Sequence, residues 1–209
     1  MCVGPLSYER LDIAENECDV LLRTVNESQA KPQELVMTAA SPGIIALTLK
    51  NDHYPSYEDY VFALADEMRQ EYKLIVSRGL VLQLDCPDLA MERHMSYQDE
   101  PLHVFQELVR LHIRAINHAL QNIPREQVRL HVCWGNSEGP HHYDVSLEDI
   151  LPLLYEARVG ALVMEMANPR HAHEYKVYQK YPLPKEMLLI AGVIDTKTNY
   201  VEHPEVVAD

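Results

Sequence analysis

His131 and Cys133 stand two residues apart in the apolar run 128–134. Two apart on an extended strand, side chains point to the same face. An imidazole nitrogen and a thiolate sulfur can then converge on one ion, and zinc accepts both, with a carboxylate as well. Glu165, near the end of the next apolar run, 161–167, is placed to supply that carboxylate. A buried histidine beside an inert core cysteine fits the same spacing, so the pair alone leaves both readings open. Further polar residues stand where similar runs end. In Leu82-Gln83-Leu84-Asp85 the leucines share one face and Gln83 and Asp85 the other, and Asp195 closes the run 188–195. Asp85 and Asp195 are therefore candidate catalytic carboxylates. Gln83 is a candidate substrate contact, as are Asn136 and Asn168 just beyond two of the runs. His141, in CWGNSEGPHHYD, fits either substrate contact or ordinary loop polarity. His171 and His173, two apart in a helical stretch, do not share a face and fit a hydrogen-bonded or solvated role. No GxxxxGK[ST] phosphate loop occurs.

The elements that must position these residues alternate. Short runs rich in Val, Ile and Leu, at 2–7, 34–39, 80–85, 128–134, 161–167 and 188–195, are each followed by a helical pattern. Continuous apolar strands between helices imply a parallel sheet covered on its faces. Ser56 with Asp59 three residues later forms a capping box for a helix over 57–78. Val61, Leu64, Ala65, Met68, Tyr72, Ile75 and Val76 fall on one face of it, and Gly79 stops it. Phe105, Leu108, Val109, Ile113, Ile116 and Leu120 make a second stripe, ended before Pro124. Ala14, Cys18, Leu21, Leu22 and Val25 make a third. Ser146 and Asp149 cap a fourth over 147–157, which Pro152 should kink or delay. All four stripes are core packing. The simplest arrangement turns the polar strand faces inside a barrel and the aliphatic faces under the helices. Active sites of such barrels sit at the strand C-terminal ends.

Composition narrows the function. The 209 residues suit one domain, and 47% hydrophobic residues are enough for a core. A net charge of −14 argues against a nucleic-acid partner, which needs a basic face. No window approaches the ~18 apolar residues of a membrane span, and MCVGPLSYER is not a secretory signal. Four dispersed cysteines without CxxC spacing fit a reduced, cytoplasmic chain.

Five segments, TAASPGIIAL, LQLDCPDLAMERH, HVCWGNSEGPHH, EMANPRHAHE and GVIDTKTNYVEHPE, resemble in this order the catalytic barrel of the cobalamin-independent methionine synthase superfamily. They are nearer still to its short relatives of the epoxyalkane:coenzyme M transferase type. The resemblance spans essentially the whole chain. It implies an α/β fold of the (β/α)8 TIM-barrel type and zinc-dependent alkyl or methyl transfer to a substrate thiol. In that family zinc is held by a His-x-Cys pair, a glutamate on the following strand and a cysteine on the last strand. The resemblance thus implies His131, Cys133 and Glu165 as ligands, with no counterpart for the fourth and zinc weakly held. It gives Asp85 the substrate's amine. The family's Asp-Glu-Pro reads Asp85-Cys86-Pro87 here, and its Asp-Ile-His reads Asp195-Thr196-Lys197, so the general-acid histidine is replaced. The tryptophan that stacks on folate is absent from SPGIIALTLK.

MCVGPLSY matches the second barrel strand, and EHPEVVAD stands just before the family's final helix and strand. The expectation is one partial catalytic barrel over 1–209, with strands two to seven, about six of eight β/α units. Its open edges, 2–7 and 188–195, would favour self-association. Two other readings stand beside the transferase: a metal-free barrel lyase or decarboxylase using Asp85 and His131, and a truncated, inactive chain acting as a binding or assembly partner.

Overall fold

The computed structural model describes residues 1–208. Five strands, β1 Val36–Ala40, β2 Val81–Asp85, β3 Val128–Val132, β4 Ala161–Glu165 and β5 Leu188–Gly192, form one parallel sheet in sequence order. Its helices are α1 Leu11–Glu27, α2 Pro42–Thr48, α3 Tyr57–Ser77, α4 Glu92–Met95, α5 Leu102–Ala119, α6 Leu147–Leu154, α7 Val177–Lys180 and α8 Pro204–Ala208. Sequential parallel strands joined by helical crossovers are the wall of a β/α barrel. The wall stays open, with β1 and β5 as its edges.

The strand faces divide as their composition requires. In β2, Leu82 and Leu84 are buried while Gln83 and Asp85 are half-buried. In β3, Val128, Leu130 and Val132 are buried while Arg129 and His131 are half-buried. Aliphatic side chains go under α3, α5 and α6, and polar ones face the concave side. Ser56 starts α3 by accepting the Asp59 N–H at 3.0 Å and donating to its carboxylate at 2.7 Å. The stripe from Tyr60 to Ile75 is buried as the helical spacing demands. Each large side chain so buried stabilises the fold by roughly 2 kcal/mol. Gly79 leaves the helix at φ +77°, a left-handed turn that glycine adopts without a Cβ clash. Pro152 lies inside α6 without delaying its start at Leu147, where Ser146 caps the Asp149 N–H.

The expected first strand is not in the sheet. Residues 2–7 form one isolated bridge, Cys2 to Asn51, and the Leu6 N–H donates to the Tyr54 hydroxyl at 2.9 Å, while Met1 and Val3 stay exposed. Gly4 and Pro5 explain the difference, because proline lacks the ladder N–H and glycine has no side chain to pack. The sheet therefore has five strands rather than six.

A buried polar chain fixes the segment after β2. Ser41 Oγ donates to Asp88 Oδ1 at 2.7 Å and accepts the Ile44 N–H at 3.0 Å, capping α2. Asp88 Oδ2 meets His112 Nδ1 at 2.8 Å, and His112 Nε2 meets the Tyr57 hydroxyl at 2.9 Å. Ser41, Asp88 and His112 are fully buried. Gly43 makes room for them: a Cβ there would lie 2.2 Å from Asp88 Oδ2 and 2.4 Å from His112 Nδ1.

Candidate active site

The strand register brings the polar strand ends together. Asp85 of β2 is paired with His131 of β3, which is paired with Val163 of β4. Two residues further along β3 and β4 come Cys133 and Glu165, and Glu165 is paired with Gly192 of β5. A cavity of about 450 Å³ opens there, lined by Asp85, His131, Cys133, Glu165, Asp195 and Lys197, with Asn136 and Asn168 at its rim. Two expected contacts lie elsewhere. Gln83 sits two residues below Asp85, outside the cavity lining. His141 is turned into a separate network with Ser137 and Asp144.

Cross-strand pairing sets the first contact: Asp85 Oδ1 lies 2.7 Å from His131 Nδ1. A carboxylate on Nδ1 fixes the ring's orientation and leaves Nε2 available to a ligand. This is the carboxylate that the family resemblance assigns to a substrate amine, and the contact uses its Oδ1. Glu165 Oε1 is buried and has no hydrogen-bond partner. Burial raises the Glu165 carboxyl above the usual range, with Lys197 pulling the other way. Burial likewise pushes the Cys133 thiol up, against a lowering contribution from the Gly135 backbone. Among the described residues, no three His, Cys, Asp or Glu groups come close enough together to hold a metal ion. The donor chemistry nevertheless fits zinc: a free imidazole nitrogen, a thiol and an orphaned carboxylate oxygen share one cavity. A cation between them would reverse the upward shift of both acids.

Lys197 is the ammonium of the cavity. Its Nζ donates to Gly135 O at 3.1 Å and reaches Ser137 O at 3.5 Å, tying the segment after β5 to the segment after β3. Gly135 turns there at φ +84°. Asp195 Oδ1 accepts the Lys197 backbone N–H at 3.0 Å, and the Asp195 N–H donates to Glu202 at 3.1 Å. Asp195 thus shapes its own turn at the cavity edge. Sequence reasoning saw Lys197 only as a replaced histidine; nothing local marks its carbonyl partners some 60 positions away.

No family model matches the chain. It is 28% identical over 190 residues to a methionine synthase of Saccharolobus solfataricus, covering 89% of this chain and 48% of that protein. It is 26% identical over 215 residues to a 2-hydroxypropyl-CoM lyase of Xanthobacter autotrophicus, covering 90% of this chain and 52% of that protein. A B12-independent methionine synthase from Shewanella sp. W3-18-1, solved with selenomethionine, superposes with a TM-score of 0.68 at 21% identity. The likeness covers 99% of this chain and 56% of that one. The chain resembles the cobalamin-independent methionine synthase superfamily. It spans about half the length of the curated relatives it matches. The methionine synthase barrel accounts for the sequential parallel strands and for a cavity at their C-terminal ends.

Proposed function

We propose that the cavity is a thiol-alkylation site: zinc-dependent transfer of a methyl or other alkyl group to a small-molecule thiol. The carrying observation is that His131, Cys133 and Glu165 line one cavity while Asp85 holds the far nitrogen of His131. His131 through Nε2, Cys133 and Glu165 would hold the metal. Zinc, when bound, supplies a Lewis acid that keeps a coordinated thiol deprotonated at neutral pH. The remaining work belongs to the chain. Asp85 holds the His131 ring in one tautomer and orientation. Lys197 places a positive charge beside Cys133 and Glu165. Asn136 and Asn168 offer amides to the polar groups of a substrate, and Asp195 sets the turn that carries Lys197. The apolar lining from Val163, Met164 and Ile194 excludes water from part of the cavity.

The test is metal loading followed by alkyl transfer. The chain is titrated with zinc against a chromophoric chelator and then incubated with a small thiol and an alkyl donor. The expected result is one zinc per chain, weakly held, lost in Cys133→Ser and kept in Cys18→Ala, with thioether product formed only by the loaded protein. Equal zinc uptake by Cys133→Ser overturns the ligand set.

A second reading has its own support. Among the described residues no three donors converge. A chain of this kind would act as a non-catalytic binding or assembly partner. Zinc uptake without thioether product favours that reading.

A further inference from the structure

His171, behind the cavity wall, is 6% exposed and engaged at both ring nitrogens. Nδ1 lies 2.7 Å from Glu174 Oε2, and Nε2 lies 2.9 Å from Asp144 Oδ2. A neutral imidazole has one N–H and one accepting nitrogen, whereas an ionised carboxylate only accepts. Two ionised carboxylates can both be satisfied only by a ring carrying two protons. Glu174 already accepts elsewhere, and Asp144 has a second imidazole beside it. Glu174 Oε1 takes the Leu147 N–H at 2.8 Å, and Asp144 Oδ2 faces His141 Nδ1 at 3.1 Å. Trp134 adds an independent argument. Its ring stacks on His171 with centroids 4.0 Å apart and planes 17° apart. A π face attracts a cation more than a neutral ring.

We propose that His171 is a buried imidazolium that positions the cavity wall, locking the segment after β3 onto the segment after β4. The mechanical links are short. Trp134 follows Cys133 directly, and its Nε1 donates to Val145 O at 2.7 Å. The His171 N–H donates to the carbonyl of Asn168, a rim residue, at 2.9 Å. The imidazolium therefore holds Trp134 from one side and Asp144 from the other, and with them both ends of residues 134–145. His94 of α4 approaches the same carboxylate, with Nδ1 3.7 Å from Asp144 Oδ1, and stacks on His141. That brings the segment after β2 to the same anchor. Only the purpose of the wall rests on the thiol-alkylation reading; the lock itself stands on the hydrogen bonds and the stack.

Protons control this lock, and the direction follows from the groups that face it. Burial works against the charge on His171, but the hydrogen bonds and charges of Asp144 and Glu174 outweigh it, so its pKa lies above the ordinary 6.5. His141 and His94 also approach Asp144, and Glu165, in the cavity, is the further carboxylate that interacts with His171. A group whose pKa is raised by folding contributes fully below its unfolded pKa and loses that contribution as pH rises through the folded one. The lock is therefore closed in mild acid and loosens towards alkaline pH. Neutral His171 leaves one of two buried carboxylates without its donor.

The experiment needs no metal, so its outcome is separate from that of zinc binding. Trp134 is the only tryptophan of the chain, and a stacked imidazolium quenches indole emission more than a neutral ring does. Emission should rise with pH, with a midpoint above 6.5, and this step should vanish in His171→Phe. Amide exchange, corrected for intrinsic rates, should be about tenfold faster for residues 134–145 and 168–174 in Asp144→Asn and His171→Phe, the size expected for one charge-assisted hydrogen bond. The amides of β2 and β3 should be unchanged. If Asp144→Asn does not fold, Glu174→Gln decides. Its amide still accepts from Leu147 but removes the charge, and the emission midpoint should fall. A midpoint at or below the ordinary value, or equal loop exchange in wild type and His171→Phe, overturns the proposal.

Discussion

Cys133 and Glu165 show how one cavity pushes two acids the same way. Both are raised chiefly by burial, and both lie near Lys197. Neither has a salt-bridge partner among the described residues, whereas Asp85 spends its charge on His131. This division assigns different consequences to substitutions within one cavity. Asp85→Asn keeps the shape and removes the carboxylate that orients the ring. Zinc affinity should fall about 10- to 100-fold, the usual effect of losing a carboxylate behind a ligating histidine. Cys133→Ser should abolish binding. Competition with a chelator of known affinity measures both, and an Asp85→Asn protein that binds zinc like wild type would remove Asp85 from the site. Lys197→Met should change zinc affinity in the opposite direction, because a cation leaves the neighbourhood of the metal; the same titration reads it, and weaker binding in the variant would contradict the electrostatic argument.

At the scale of elements, much was legible because the signals are local. The Ser56 and Ser146 caps, the stripes of α3 and α5 and the alternation in β2 and β3 each follow from residues within a few positions of one another. The run 2–7 failed for a local reason as well, since Gly4 and Pro5 outweigh its apolar content. Helix α2 carries a local signal as well: Ser41 as N-cap with Pro42 at the first helical position. The pairs that shape the cavity wall were out of reach. Asp88 meets His112 across 24 positions, and Asp144 meets His171 across 27, on distances that only the packed fold supplies. Gly43 is where this long-range packing is most exposed to a single substitution. A Cβ at 2.2 Å from a buried carboxylate oxygen cannot be absorbed, since Asp88 is fixed between Ser41 and His112. Gly43→Ala should cost about 3 kcal/mol, the scale of overpacking a tight core and disturbing a buried hydrogen-bonded pair, read as a lowered urea midpoint. A midpoint within error of wild type would show that the helix can slide to accept the methyl.

For the whole molecule the open sheet decides behaviour. Each strand of a closed barrel has two neighbours; here β5 has one, and its outer row of N–H and C=O groups faces away from the sheet. Edge strands that remain solitary carry charge, proline or a bulge. β5 reads LLIAG and continues into exposed Val193 and Ile194, with no charge along its length, and Leu188 is 69% exposed. The β1 edge, VMTAA, is less apolar and better covered, with Thr38 its one fully exposed residue. We predict self-association through β5, a second copy pairing edge to edge or laying its own apolar strand against the first. The chain's charge of −14 opposes close approach at low salt. Screening that charge should shift the balance, so sedimentation should show larger species as salt is raised from about 10 mM to 0.5 M, a range over which the screening length falls from about 30 Å to below 8 Å. Leu188→Lys places a charge on the exposed edge at a position that contributes little to the core. It should return the chain to monomer at every salt concentration with an unchanged urea midpoint. A wild-type chain that stays monomeric at high salt, with the β5 amides strongly protected from exchange, would mean that this edge is covered from within the same molecule.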